Sequence, residues 1–210
     1  MNIIWFDFDG TIIHVEERFY RVHQRICEQL ALPPLDKEQY WNARINGVST
    51  KDILKLINAE HLFEEYISIR NALLESLEFL KYDRLRSNAK IILDDLHKNY
   101  QINLLTARSN EANLLLELEQ LDIKKYFTDI FIVSPFSKWV DKSAILSKYT
   151  NESICMIGDT PNDIIAANKV AIKTIGILNG MSTKSIISSC HPDFIVNDFY
   201  EVKAMLSLIV

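Results

Sequence analysis

Two hydrophobic periods divide the chain. Residues Ile3-Ile4-Trp5-Phe6 form an unbroken apolar run near the N-terminus, the pattern of a strand buried on both faces. From about His14 to Arg86 the period becomes helical, with no convincing strand. Phe19, Val22, Ile26 and Leu30 recur at helical spacing, and Pro33-Pro34 stops that helix. Ile53, Leu54 and Ile57, then Ile69, Leu73, Leu77 and Leu80, give further helical stripes. From Ser87 onward helix and strand alternate. Ile91, Ile92 and Leu96 mark a helix, and Ile102–Leu105 a strand ending at Thr106. Ser109 is the expected N-cap of the next helix, which carries Ala112, Leu115, Leu116 and Leu118. Strands follow at Ile130–Val133, Ile154–Ile157, Lys173–Ile177 and, more weakly, Phe194–Val196. The helices between them carry Ala144, Ile145 and Tyr149, then Pro161 at a first turn. A last helix starts at about Phe199.

Strands separated by helices imply a mainly parallel sheet with crossovers on its faces. The fold class is therefore α/β, a Rossmann-like three-layer core with an inserted all-helical cap. The expected boundaries are 1–13 and 87–210 for the core and 14–86 for the cap.

Composition narrows the function classes. The 210 residues are 48% hydrophobic, enough for a sizeable core, and carry a formal net charge of −5. That balance argues against non-specific nucleic-acid binding. No apolar run approaches bilayer-spanning length, and the N-terminus lacks the pattern of a secretory signal. Cys27, Cys155 and Cys190 are dispersed without metal-ligand spacing. An odd, scattered set suits a reducing cytoplasm better than a disulfide framework.

Polar residues recur where strands end. Asp7 and Asp9 follow the first strand, Gly10 permits an immediate turn, and an extended backbone would point both carboxylates the same way. Asp159 follows a later strand, and Asp163 lies one helical turn further on. The carboxyl edge of a parallel sheet can gather such distant residues. Asp7, Asp159 and Asp163 would make an acidic pocket for a hard cation such as Mg²⁺. Phosphoryl transfer suits this set, with Asp7 attacking phosphorus and Asp9 moving a proton to the leaving oxygen and later from water.

Phe6-Asp7-Phe8-Asp9-Gly10-Thr11, Leu104-Leu105-Thr106, a lysine near 142 and Gly158-Asp159-Thr160-Pro161-Asn162-Asp163 resemble, in order, the four motifs of the haloacid dehalogenase superfamily. The insert resembles the helical cap of its phosphoglycolate phosphatase and β-phosphoglucomutase branch. The resemblance implies Asp7 as nucleophile and Asp9 as acid/base, with the Asp9 carbonyl also on Mg²⁺ beside Asp159 and Asp163. It implies Thr106 as a phosphate donor, with Ala107 and Arg108 beside it, though Arg108 could equally form a salt bridge in the core. It implies a lysine on both nucleophile and phosphoryl group, Lys142 or its competitor Lys138. It also places the first strand between those ending at Thr106 and Asp159. In the cap, Arg44 and Lys51 either touch an anionic substrate or lie on solvated surface. Thr50 stands where the mutase has an arginine, and Phe19 near its cap histidine. The implied function is Mg²⁺-dependent hydrolysis of a small phosphorylated metabolite through an aspartyl-phosphate. A sugar phosphomutase and a non-catalytic binder of phosphorylated metabolites remain the alternatives. The substrate and the oligomeric state are not encoded in any motif.

Overall fold

The computed structural model describes residues 2–137 and 139–209; Lys138 lies outside them. In chain order the elements are β1 (Ile3–Phe6), β2 (Ile13–His14), α1 (Glu16–Gln29), α2 (Lys37–Ile45), α3 (Thr50–Lys55), α4 (Phe63–Leu73), α5 (Leu77–Leu80) and β3 (Arg84–Leu85). Then come α6 (Ala89–Leu96), β4 (Gln101–Ala107), α7 (Glu111–Gln120), β5 (Asp129–Val133), α8 (Trp139–Leu146), β6 (Ser153–Gly158), α9 (Pro161–Asn168), β7 (Lys173–Ile177), α10 (Lys184–Ser189), β8 (Phe194–Val196) and α11 (Phe199–Ile209).

Six strands form one parallel sheet in the order β5-β4-β1-β6-β7-β8. β1 is central, between the strands that lead to Thr106 and Asp159, as the family resemblance implies. Its lack of polar alternation follows from burial on both faces. The pleat sends Ile3 and Trp5 into a cluster with Leu105, Met156, Leu146 of α8 and Ala166 and Ala167 of α9. It sends Phe6 the other way, where its ring stacks on Phe199 of α11 with centroids 5.8 Å apart. The two helical layers are thus joined through β1. Each large side chain buried there contributes about 1.5–3 kcal/mol. The one polar atom of Trp5, Nε1, donates to Ser153 Oγ at 2.8 Å.

The chain divides into two compact units, one reaching from the N-terminus to His14 and resuming at Leu85, the other Val15–Arg84. The second is helical, packed around Val22, Ile26, Leu54, Ala59, Tyr66 and Phe79. A fully buried Arg18–Asp83 ion pair of 3.1 Å joins its first helix to its end. His23 accepts from the Leu35 N–H at 3.2 Å through Nε2. Burial lowers its pKa to about 4, so the neutral ring carries its proton on Nδ1 and donates to the Tyr66 hydroxyl at 2.8 Å. Among the described residues no helix is long and apolar enough to cross a membrane.

Two expectations need correction. The helical stretch ends in a strand, β3, which pairs with β2 in a separate two-stranded sheet; two residues are too few to show a period. The N-cap of α7 is Asn110, not Ser109. Its side chain accepts from the Asn113 N–H at 3.0 Å. Adjacent Ser and Asn cap about equally well, so the sequence could not separate them.

Candidate active site

Asp7 is the first residue beyond β1, at the carboxyl edge of the sheet. One of its oxygens, Oδ1, accepts from Lys142 Nζ at 2.6 Å. Lys142 lies one turn inside α8 rather than at its start, and also donates to Asp163 Oδ1 at 2.5 Å. Asp163 is held by a capping box at the head of α9: its Oδ2 accepts from the Thr160 N–H at 3.1 Å and hydroxyl at 2.7 Å. Asp159, just past β6, accepts from the Thr11 hydroxyl at 2.8 Å and the Met181 N–H at 2.5 Å. Ligand oxygens of Asp7, Asp159 and Asp163 all lie within 4.8 Å of one another, and all three residues are buried.

Glycines make room for these oxygens. Gly10 turns with φ +78°, and a Cβ there would lie 2.1 Å from Asp159 Oδ2. A Cβ on Gly180 would lie 2.2 Å from the same oxygen. Gly180→Ala should therefore displace Asp159 and destabilise the protein by about 1–3 kcal/mol, read as a fall in thermal midpoint. A midpoint equal to that of the parent protein would mean the carboxylate has room to shift. Arg86 supports the same turn, donating to Gly10 O and, at 3.0 Å, to Leu178 O.

The electrostatics follow from three buried carboxylates facing one buried ammonium. Burial, with Asp163 and Asp159 nearby, raises the Asp7 pKa well above the carboxylate range, and Lys142 opposes the rise. Burial and then Asp163 raise Asp159 to about 7. Burial alone would lower Lys142, but Asp163 and Asp7 together hold it above its ordinary value. The lysine is a fixed cation, and one ammonium is too few for three ionised carboxylates, so Asp7 and Asp159 are pushed towards their protonated forms.

Asp9 does not join this cluster. β1 stops at Phe6, and the chain beyond it turns, Phe8 O accepting from the Ile12 N–H at 2.9 Å. The Asp9 carboxylate instead accepts two bonds from Arg108, Nε to Oδ2 and Nη2 to Oδ1, each 2.7 Å. Arg108 Nη2 also donates to Glu117 Oε2 of α7 at 3.1 Å. Thr106 is buried near the end of β4, and Ala107 closes that strand. Arg44 and Lys51 belong to the helical unit. Lys51 is exposed, and the Arg44 guanidinium lies 5.4 Å from the Phe19 ring.

The model of the haloacid dehalogenase-like hydrolases matches residues 4–177, a span that holds every acid of the cluster. The chain belongs to that family. Among relatives of this haloacid dehalogenase-like hydrolase, a phosphoglycolate phosphatase of Vibrio cholerae is 25% identical, over 94% of this chain and 93% of the relative. The pyrophosphatase PpaX of Anoxybacillus flavithermus is 21% identical, over 99% and 98%. Among solved structures, a haloacid dehalogenase-like family hydrolase from Streptococcus pneumoniae superposes with a TM-score of 0.81 at 19% identity, covering 98% of both chains.

Sequence reasoning passed over Glu117, Gly180 and the Met181 N–H. Glu117 left one trace, an acid next to Leu118 in an apolar helical stripe. Gly180 and Met181 follow β7 in a loop with no periodic signal.

Proposed function

We propose that this hydrolase is a Mg²⁺-dependent phosphatase that cleaves a small phosphomonoester through an aspartyl-phosphate on Asp7. The observation that carries the reading is the meeting of Asp7, Asp159 and Asp163 around one point, with Lys142 on Asp7. Three buried carboxylates are a hard oxygen donor set, and the raised pKa values of Asp7 and Asp159 follow from their burial and from the acids beside them. They fit a divalent cation, held by Asp7, Asp159 and Asp163 with the Asp9 carbonyl. When bound, Mg²⁺ supplies positive charge that offsets the phosphoryl oxygens.

Within that frame an Asp7 oxygen forms a bond to phosphorus while the bond from phosphorus to the ester oxygen breaks. Asp9 delivers a proton to the departing oxygen. Lys142 and the Thr106 hydroxyl hold the transferred group, with Ala107 beside it. Water then attacks phosphorus and gives its proton to Asp9, and the Asp7–phosphorus bond breaks, restoring both acids. Arg44 and Lys51 are candidates for contacting the rest of an anionic substrate. A reducing cytoplasm suits the three dispersed cysteines.

The relatives' names include phosphoglycolate and pyrophosphate hydrolysis, and identities near one in four do not choose between them. A phosphate-release screen over small phosphomonoesters and pyrophosphate, with Mg²⁺ and with chelator, is the direct test. Release from one of them that needs the cation is expected. Transfer to a sugar phosphate without release would mark a mutase. No release from the whole panel would mark a binding protein.

A further inference from the structure

Arg108 is 2% exposed, and its guanidinium is fixed on three sides. Nε and Nη2 meet the two Asp9 oxygens, Nη2 also meets Glu117, and the guanidinium carbon lies 5.6 Å from the Phe8 ring. A planar fork matched to a carboxylate in this way sets the plane and direction of that carboxylate, which a lysine does not. Glu117 is 3% exposed, in the middle of α7 between Leu114 and Leu118. A buried glutamate there is costly unless it is paired, and its Oε2 accepts from the same Nη2 that meets Asp9.

We propose that Arg108 and Glu117 are positioning residues for proton transfer by Asp9. Glu117 orients the guanidinium, and the guanidinium orients the carboxylate that moves the proton. This rests on the phosphatase reading above, with Asp9 as acid/base. Arg108 then acts on the leaving-group side of the reaction rather than on the phosphoryl group.

Leaving groups separate these roles. An alkyl oxygen must be protonated as it departs, whereas 4-nitrophenolate departs as a stable anion. The test compares kcat/KM, which reports the first transfer, for 4-nitrophenyl phosphate and for the alkyl phosphomonoester the wild-type protein hydrolyses best. Arg108→Lys keeps the charge but loses the fork. It should lower kcat/KM for the alkyl ester on the order of 10²-fold, with the aryl ester changed by less than about threefold. Glu117→Gln keeps shape and an acceptor oxygen, and should give the same selective loss on a smaller scale, about tenfold. Thermal midpoints identify variants that fail to fold, and the alkyl-to-aryl ratio is independent of the fraction folded. An equal loss on both esters, or no loss on either, overturns the inference and leaves the phosphatase reading standing. A wild-type protein inactive on every ester overturns the phosphatase reading, and this inference with it.

Discussion

Asp7→Asn should abolish phosphate release, by at least about 10⁴-fold, while the metal-free protein melts no earlier than wild type. The first half follows from the proposed role, because an amide oxygen in that place is a poor nucleophile. The second follows from the charges around it. Burial and two neighbouring acids raise the Asp7 pKa, so its ionised form is unfavourable in the folded state despite Lys142. The neutral isostere removes that cost, and Lys142 keeps Asp163 at 2.5 Å. Phosphate assays with Mg²⁺ and melting in chelator above pH 7 check the two halves. Release that survives the substitution would remove Asp7 as nucleophile. A large fall in the midpoint would mean that its charge holds the fold together.

Mg²⁺ should raise the melting temperature strongly at pH 8 and hardly at pH 5. Asp159 has a folded pKa of about 7 against an ordinary 3.8. Between those values the folded protein holds a proton that the unfolded chain has released. The contribution of this carboxyl to stability is thus full below about pH 4, falls as pH rises towards 7, and stays low above it. The slope is at most about 1.4 kcal/mol per pH unit for this one carboxyl, and the raised pKa of Asp7 acts in the same direction. A divalent cation replaces the missing proton, so its benefit appears where the acids are charged. At a concentration about a hundred times its dissociation constant it contributes about 2.7 kcal/mol, or roughly 5–10 °C for a chain of this size. Melting curves in Mg²⁺ and in chelator at the two pH values decide the matter. Equal curves at pH 8 would remove the cation from the cluster.

The fold was largely legible because its signals are periodic. A short apolar run with no alternation, closed by acids and a glycine, is the pattern of a doubly covered strand, and β1 is one. The break in period after Thr11 marked the helical stretch, and the later alternation of strand and helix implied the parallel sheet. The acid cluster was legible for a related reason: strand ends in a parallel sheet share an edge, so Asp7 and Asp159 could meet although far apart in sequence. What stayed hidden depends on packing rather than period. The direction of Asp9 is set by Arg108, and Arg108 by Glu117, one helix turn beyond Leu114. The room for the Asp159 carboxylate comes from Gly180, in a loop whose path no spacing rule describes.

The strand order carries a consequence for synthesis. The segment set deepest in the sheet is made before both of its neighbours. Ile4 lies beside Ile102 and Cys155, so an emerging chain has β1 in hand long before either flanking strand exists. About a hundred further residues must leave the ribosome before that apolar segment gains one neighbour, and about 150 before it gains the second. The helical unit, made of one unbroken stretch, has no such wait.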